Sequence, residues 1–133
     1  MATAIRQELD FKASPRRIYA ALLDARQFSA FTGAPAEIHS EAGGAFSCFG
    51  GFVVGRNIEL VPDKRIVQAW RVKVWPEGIY SIVAFELHAK GSGTHLTMTH
   101  DGFPESMRAH LNGEMPDGGW YRQYWEPLQK YLS

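Results

Sequence analysis

The sequence predicts an α+β fold in which a curved, seven-stranded antiparallel sheet surrounds a long C-terminal helix, with two short helices between the first and second strands. Apolar and polar residues alternate with a period of two along much of the chain, as in strands with one buried face. Turns rich in glycine and proline separate these segments. The last stretch changes to helical spacing and carries a mostly aromatic stripe, at Trp120, Tyr124, Leu128 and Tyr131.

Composition limits the class of protein. The 133 residues suit one domain, residues 1–133, with one hydrophobic core. The 14 basic residues balance the 14 acidic ones, which argues against a nucleic-acid-binding surface because such a surface needs a basic excess. No apolar run approaches the roughly 20 residues of a membrane span, and no secretory signal is present. Cys48 is the only cysteine. We therefore expect a cytoplasmic protein, with monomer and homodimer both open.

The first strand and the two short helices follow from local patterns. Alternation over Ile5–Phe11 predicts a half-buried strand. Ser14 is a favoured N-cap and Pro15 a favoured first helical residue, so a short helix is expected to begin there. Asp24 is expected to cap a second short helix, which ends at Gly33.

The middle of the chain predicts consecutive strands of an antiparallel meander. The turns between them are expected at Gly43-Gly44, Gly50-Gly51, Pro62-Asp63-Lys64 and Pro76-Glu77-Gly78. The inner face of these strands is predicted to carry Ile38, Phe46, Cys48, Val54, Ile58, Leu60, Ile66, Trp70, Val72 and Val74.

The following hairpin has the most strongly specified register. Its loop is expected at Gly91-Ser92. The inner face then pairs Leu87 with Leu96, Phe85 with Met98 and Val83 with His100, and the outer face pairs His88 with His95, Glu86 with Thr97 and Ala84 with Thr99. A slip of one residue would expose the leucines and Phe85 to water, which fixes this register.

The C-terminal helix contains two irregular features. Asp117 precedes the periodic run and is a candidate N-cap. Pro127 lacks an amide hydrogen, so we expect it to kink the helix or to end regular hydrogen bonding near Gln123. Trp125 lies off the aromatic stripe, which predicts an exposed side chain or part of a partner surface.

Five stretches together carry a family resemblance. They are ASPRRIYAAL at 13–22, GGAF at 43–46, LVPDKRIVQAWR at 60–71, THLTMTHDGFP at 94–104 and GGW at 118–120. The sequence resembles the activator-of-heat-shock-protein-90-ATPase homologues (AHSA-like), within the START and Bet v 1 (SRPBCC) superfamily. The resemblance implies a helix-grip fold, a ligand-sized cavity and a chaperone as one candidate partner. One departure is that Phe28 and Phe31 stand where family members usually carry tryptophan.

The inner face of the strands and the stripe of the helix predict the walls of a ligand-binding cavity. The candidate lining residues are Phe46, Val54, Ile58, Trp70, Val72, Phe85, Met98, His100, Trp120 and Tyr124. His100 is the main polar group among them. It is either a hydrogen-bond anchor or proton donor for a ligand, or a structural side chain bonded to a neighbour, which is the commoner role for a lone histidine on a core face.

The remaining chemistry-bearing residues support no catalytic, metal or cofactor assignment. His88 and His95 are two neighbouring imidazoles, whereas a zinc site needs three or four protein ligands. Cys48 lies among phenylalanines, which raise a thiol pKa, so it is expected in the core. The glycines match neither the Walker nor the dinucleotide spacing.

Three functional hypotheses remain. The leading one is a binding protein without catalysis, holding a small apolar or amphipathic molecule between sheet and helix. The second is a cyclase-like or hydrolase-like enzyme acting on an aromatic or polyketide-like substrate, with His100 as acid–base. The third is a protein-interaction module of the co-chaperone kind.

Overall fold

The computed structural model describes residues 4–107, 111 and 119–132, and in these ranges seven strands form one antiparallel sheet. The strands are β1 (Ile5–Phe11), β2 (Glu37–Ile38), β3 (Ala45–Cys48), β4 (Val53–Val61), β5 (Arg65–Val72), β6 (Ser81–Lys90) and β7 (Gly93–Asp101). Their spatial order is β1-β7-β6-β5-β4-β3-β2. Strands β2 to β7 thus form a meander, and β1 returns to pair with β7.

The described helices lie where the sequence predicts them. They are α1 (Pro15–Leu23), α2 (Ala25–Thr32) and α3 (Glu126–Leu132), the last preceded directly by a π-helical segment, Tyr121–Trp125. The α+β fold, a curved antiparallel sheet with a C-terminal helix and two short helices between the first two strands, is therefore confirmed. The N-cap predicted at Asp117 lies outside the described residues.

Side-chain caps fix the two short helices. The Ser14 hydroxyl accepts from the Arg17 amide at 3.4 Å, and the Asp24 carboxylate accepts from the Arg26 amide at 3.0 Å. Helix α2 ends at Gly33, whose φ of 74° is the left-handed conformation that glycine adopts without a Cβ clash. These caps satisfy amides that a helix leaves unpaired and so set where α1 and α2 begin.

The register of the β6–β7 hairpin is confirmed. Leu87 lies opposite Leu96 and Phe85 opposite Met98 on the inner face, and His88 lies opposite His95 on the outer face. The pairing of β1 with β7 extends this surface, because Asp10 lies opposite His95. This pairing places Glu8 and Asp10 of β1 beside His95 of β7, which sequence alternation alone did not indicate.

The predicted inner face of β4 is wrong at Val54 and Ile58. Val53 is buried and pairs with Val72, so Val54 faces outward and is only half-buried. A register shift between Asn57 and Glu59 then leaves Ile58 unpaired and 49% exposed. A β-bulge adds one residue to a strand and changes which side chains face inward, and period-two alternation cannot register this.

Residue 74 also departs from its prediction. Strand β5 ends at Val72, and Val74 is an exposed residue beyond it rather than part of the inner face. The chain turns there, with Trp75 donating its amide to the Val72 carbonyl at 3.0 Å. Trp75 rather than Val74 therefore enters the core.

The π-helical segment changes the buried stripe of the C-terminal helix. The amide of Glu126 bonds to the carbonyl of Tyr121, five residues back, immediately before Pro127. The expected interruption of regular α-helical bonding near Pro127 thus takes the form of a π-helical turn. This turn brings Trp125 into the core, where it is fully buried, and the predicted exposure of Trp125 is wrong. Tyr131 is 37% exposed at the rim instead.

Aromatic rings join the helix to the centre of the sheet. The Phe85 ring on β6 lies 5.8 Å from the rings of both Trp120 and Trp125, and 6.4 Å from that of Tyr124. Phe28 of α2 contacts the other side of Tyr124, with ring centroids 5.4 Å apart. Edge-to-face pairs of this kind stabilise beyond their buried area. This cluster fixes one end of the space between helix and sheet.

Candidate functional site

A cavity of about 440 Å³ lies between strands β4 and β5 and the start of the C-terminal helical segment. Its volume falls within the range of about 300–1,000 Å³ found for small-molecule sites. None of its described lining residues carries a charged side chain. They are Phe49, Phe52, Val53, Trp70, Val72, Leu111, Gly119, Trp120, Gln123 and Tyr124.

Strand register places one wall of the cavity. Val53 lies directly opposite Val72, and Gly55 lies opposite Trp70, so two successive inner positions on each of β4 and β5 form a continuous surface. Gly55 has no side chain, and a Cβ there would lie 2.8 Å from Phe46 Cζ. The missing side chain leaves room for the Phe46 ring and for the close approach of the β5 backbone at Ala69.

The turn between β3 and β4 supplies the rim. Phe49 has a φ of 55° and is followed by Gly50 and Gly51 with φ of 66° and 93°. A left-handed conformation costs a residue with a Cβ about 1–2 kcal/mol. Phe49 is held there by ring contacts with Tyr124, at 5.7 Å, and Phe28, at 5.8 Å. The turn thus directs Phe49 towards the helix.

Four of the ten predicted lining residues line this cavity, namely Trp70, Val72, Trp120 and Tyr124. Phe46, Phe85 and Met98 are buried in the adjoining core, while Val54 and Ile58 face outward. Sequence reasoning missed Phe49, Phe52, Val53, Leu111, Gly119 and Gln123. Val53 is one residue from the predicted face, and Phe49, Phe52 and Gly119 lie outside the strands and α-helices, where alternation gives no signal. Gln123 lies in the π-helical segment, off the predicted aromatic stripe.

His100 lies behind the cavity in a closed hydrogen-bond chain. Trp120 Nε1 donates to His100 Nδ1 at 3.1 Å, and His100 Nε2 lies 2.7 Å from Ser81 Oγ. The Ser81 hydroxyl donates to the Trp70 carbonyl oxygen, also at 2.7 Å. Because the indole can only donate, Nδ1 is unprotonated, and Nε2–H donates to Ser81. Every nitrogen of His100 therefore has a protein partner.

This arrangement bears on the enzyme hypothesis. Burial lowers the pKa of His100 to about 3, so the ring is neutral near pH 7. Its hydrogen-bond partners are Ser81 and Trp120, and it is not among the residues lining the cavity. An acid–base catalyst needs an exchangeable proton within reach of its substrate. The geometry instead gives His100 a role in holding helix and sheet together.

Other chemistry-bearing side chains show structural environments. Burial raises the pKa of the Cys48 thiol to about 12, so it stays protonated and is a poor nucleophile. His95 on the outer face bonds to Asp10 through Nδ1, at 2.7 Å, and to Glu8 through Nε2, at 2.9 Å. In the described part of the chain no three or more His, Cys, Asp or Glu side chains form a group that could hold a metal ion.

Comparison with known proteins decides the family. The family described as "Activator of Hsp90 ATPase homolog 1-like protein" matches residues 12–133. The chain belongs to this family. It is 34% identical over 120 residues to the human "Activator of 90 kDa heat shock protein ATPase homolog 1", a match that covers 90% of this chain and 34% of that protein. The chain thus spans about a third of the length of the curated relatives it matches.

Solved structures share the fold. An HSP90 activator from Plasmodium falciparum superposes with a TM-score of 0.87 at 24% identity, covering 98% of this chain and 96% of that one. The Aha1 dimer from Colwellia psychrerythraea gives a TM-score of 0.80 at 20% identity, with coverage of 98% and 96%. No described helix of the present structure is long and apolar enough to cross a membrane.

Proposed function

We propose that the chain binds a small hydrophobic or amphipathic molecule in the cavity between β4, β5 and the C-terminal helical segment. The observation that carries this proposal is the cavity itself, about 440 Å³ in volume and lined in its described part by uncharged, mostly aromatic and aliphatic side chains. A well-formed apolar pocket with few polar groups is the usual form of a small-molecule site. Transfer of an apolar molecule from water into such a site is favourable.

The position of the cavity supports the same proposal. It lies beside, not within, the tightly packed cluster of Phe85, Trp120 and Trp125, whose rings approach within 6 Å of one another. Natural cores leave few voids larger than a water molecule. A space of this size next to a close-packed core is therefore better explained as a binding site than as a packing defect.

A neutral fluorescent probe, N-phenyl-1-naphthylamine, tests the proposal. It should bind the wild-type chain with increased emission, and Val72→Trp should abolish binding because the indole fills the cavity. Overpacking of this kind typically costs about 1–3 kcal/mol, so thermal unfolding must show that the variant is folded. Val54→Trp is the matched control, since the same exchange on the outward face of β4 should leave binding unchanged.

Two results would remove the proposal. One is a wild-type chain that does not bind the neutral probe at any concentration below its solubility. The other is equal loss of binding in Val72→Trp and Val54→Trp, because binding would then follow stability and not cavity volume.

A second candidate function is contact with a chaperone of the heat-shock-protein-90 class. The family membership and the 34% identity to a human activator of a 90 kDa heat-shock-protein ATPase support it. Purified chain added to a purified chaperone of this class should raise its ATPase rate or co-elute with it in gel filtration. Absence of both ATPase stimulation and co-elution would remove the second candidate.

We propose a cytoplasmic setting for both functions, supported by the single, free cysteine at position 48.

A further inference from the structure

The outer face of the central strands is apolar where a water-facing sheet normally carries polar side chains. Its outward positions include Val54 of β4, Val67 and Ala69 of β5, and Ile82 and Ala84 of β6. Ile82 is 46% exposed although it lies in a paired strand. The solvated face of an antiparallel sheet usually alternates to polar residues. A contiguous apolar stretch on that face is typical of an interaction surface.

A shallow groove lies beside Ile82 on the same face. Its volume is about 400 Å³, and its lining includes Val54 and Arg56 of β4, Ala69 of β5, and Tyr80 just before β6. Ala69 is the residue directly opposite Ile82 in the pairing of β5 with β6. Since the alanine side chain ends at Cβ, the surface is low there. An exposed isoleucine and a groove over an alanine are therefore neighbours on one surface.

Opposite charges stand at the two ends of the row that contains Ile82 and Ala69. The row crosses four strands, from Asp101 of β7 through Ile82 and Ala69 to Arg56 of β4. Asp101 and Arg56 each bond one backbone group, and neither forms an ion pair with a described residue. Three strand spacings of about 4.8 Å separate them, so they cannot pair with each other within one chain.

A two-fold axis along the strands, between β5 and β6, matches this row to itself in a second copy. The axis exchanges β6 with β5 and β7 with β4. Ile82 then meets Ala69 of the partner subunit, and Asp101 meets Arg56 of the partner subunit. Each contact occurs twice, as in any isologous dimer. Two sheets related in this way pack with their strands aligned, which is one of the common arrangements of packed sheets.

We propose that the outer face of β4 to β7 is an interface between two copies of this chain. Ile82 packs over Ala69 of the partner subunit, and Asp101 pairs with Arg56 of the partner subunit. A second copy fits because one axis matches both the shape and the charge of the face. The interface goes beyond the proposed function and does not rest on it, because the cavity lies on the inner face of the sheet. It involves only the central strands, and interfaces of small area give reversible dimers.

The concentration dependence of the molecular mass tests the interface. Sedimentation equilibrium of the wild-type chain should show the mass rising from the 14.9 kDa of one chain towards twice that value. Ile82→Lys places a cation beside Arg56 of the partner subunit and offers Asp101 a competing partner within its own chain. It should raise the dissociation constant of the dimer more than about tenfold, because like charges brought together across an interface are strongly unfavourable.

Tyr121→Lys is the matched control. Tyr121 is 48% exposed, almost the same fraction as Ile82, but it lies in the π-helical segment on the other side of the sheet. The exchange adds the same charge at a similarly exposed position, so the dissociation constant should not change. Thermal unfolding followed by circular dichroism shows whether both variants are folded.

A charge exchange tests the position of the axis. Arg56→Glu and Asp101→Arg should each weaken the dimer, because each brings like charges together at two symmetric positions. An equimolar mixture of the two variants should recover the wild-type affinity, since both ion pairs of the mixed dimer then join opposite charges. A variant that weakened the dimer only by misfolding would not be recovered by mixing.

The outcomes decide both the surface and its partner. A wild-type chain that stays monomeric at every concentration up to its solubility limit would overturn the interface, and so would a dimer that Ile82→Lys leaves intact. Failure of the mixture to recover the affinity would show that Asp101 and Arg56 do not pair across a two-fold axis, and the proposed arrangement would be wrong. If the chain is monomeric and Ile82→Lys abolishes co-elution with a chaperone of the heat-shock-protein-90 class, the face binds that chaperone and not a second copy.

Discussion

Trp120 Nε1 lies 3.1 Å from His100 Nδ1, and this buried hydrogen bond joins the start of the C-terminal helical segment to β7. His100 Nε2 in turn bonds to Ser81 on β6, and the Ser81 hydroxyl donates to the Trp70 carbonyl on β5. Trp120 and Trp70 both line the cavity, and their rings lie 5.3 Å apart. The chain of bonds therefore sets the distance between the two walls of the proposed binding site.

Replacement of Trp120 should be among the most destabilising changes in the chain. Trp120→Ala removes a buried aromatic ring, and we expect it to lower the free energy of unfolding by about 3–5 kcal/mol. Trp120→Phe keeps most of the ring but leaves His100 Nδ1 unpaired, at a cost of about 1–3 kcal/mol. Urea unfolding followed by circular dichroism measures both. A loss below about 1 kcal/mol in Trp120→Ala would mean that the ring is not in the core.

Stability should fall in weak acid because of His100. Burial lowers its folded-state pKa to about 3 from 6.5, so between these values the unfolded chain binds a proton that the folded chain does not. The stability that comes from burying neutral His100 is complete above about pH 6.5. It is lost as the pH falls towards 3, at up to about 1.4 kcal/mol per pH unit. Urea unfolding at several pH values measures this slope. An NMR titration that showed His100 becoming protonated near pH 6 would contradict the assignment.

The fold was predictable because its determinants are local. Ser14 and Asp24 each cap a helix by accepting a hydrogen bond from an amide of its first turn. Gly33 ends α2 in a left-handed conformation that favours glycine. The β6–β7 register followed from alternation on both strands, because a slip would have exposed apolar side chains. Every strand pair in the described sheet joins neighbours in the sequence except the pairing of β1 with β7.

The cavity was less predictable because it depends on irregular features. The bulge between Asn57 and Glu59 turned Ile58 outward, and the π-helical turn before Pro127 brought Trp125 inward. Each adds about one residue to a regular period, which reassigns the faces of its element. The lining residues at Phe49 and Gly119 lie outside regular strands, where no period exists to be read.

The outer-face histidine should titrate above its usual range. Hydrogen bonds that His95 donates to Asp10 first, and then to Glu8, raise the pKa of His95, since both ring nitrogens donate to carboxylates only when the ring is protonated. The stability that these bonds give is present below the unfolded pKa and is lost as the pH rises through the folded one. Asp10→Asn should lower the pKa of His95, measured by NMR. Glu37→Gln, at the opposite edge of the sheet, is the control and should have no effect.

Gly55→Ala tests the close packing behind the cavity. A Cβ at this position would lie 1.8 Å from the Ala69 carbonyl oxygen and 2.8 Å from Phe46 Cζ, so β4 and β5 would have to separate. We expect a loss of more than about 2 kcal/mol in the free energy of unfolding, towards the upper end of overpacking effects.

The matched exchange is Gly78→Ala, where φ is 83° and no atom lies within 4 Å of the added Cβ. Its cost comes only from the left-handed backbone and should be about 1–2 kcal/mol. Since Gly55 pairs with Trp70, Gly55→Ala should also displace the Trp70 ring and weaken binding of N-phenyl-1-naphthylamine, whereas Gly78→Ala should not. Urea unfolding and probe titration of the two variants give both comparisons. Equal stability losses in the pair would show that β4 and β5 tolerate a side chain at Gly55, and the packing described for this wall would be wrong.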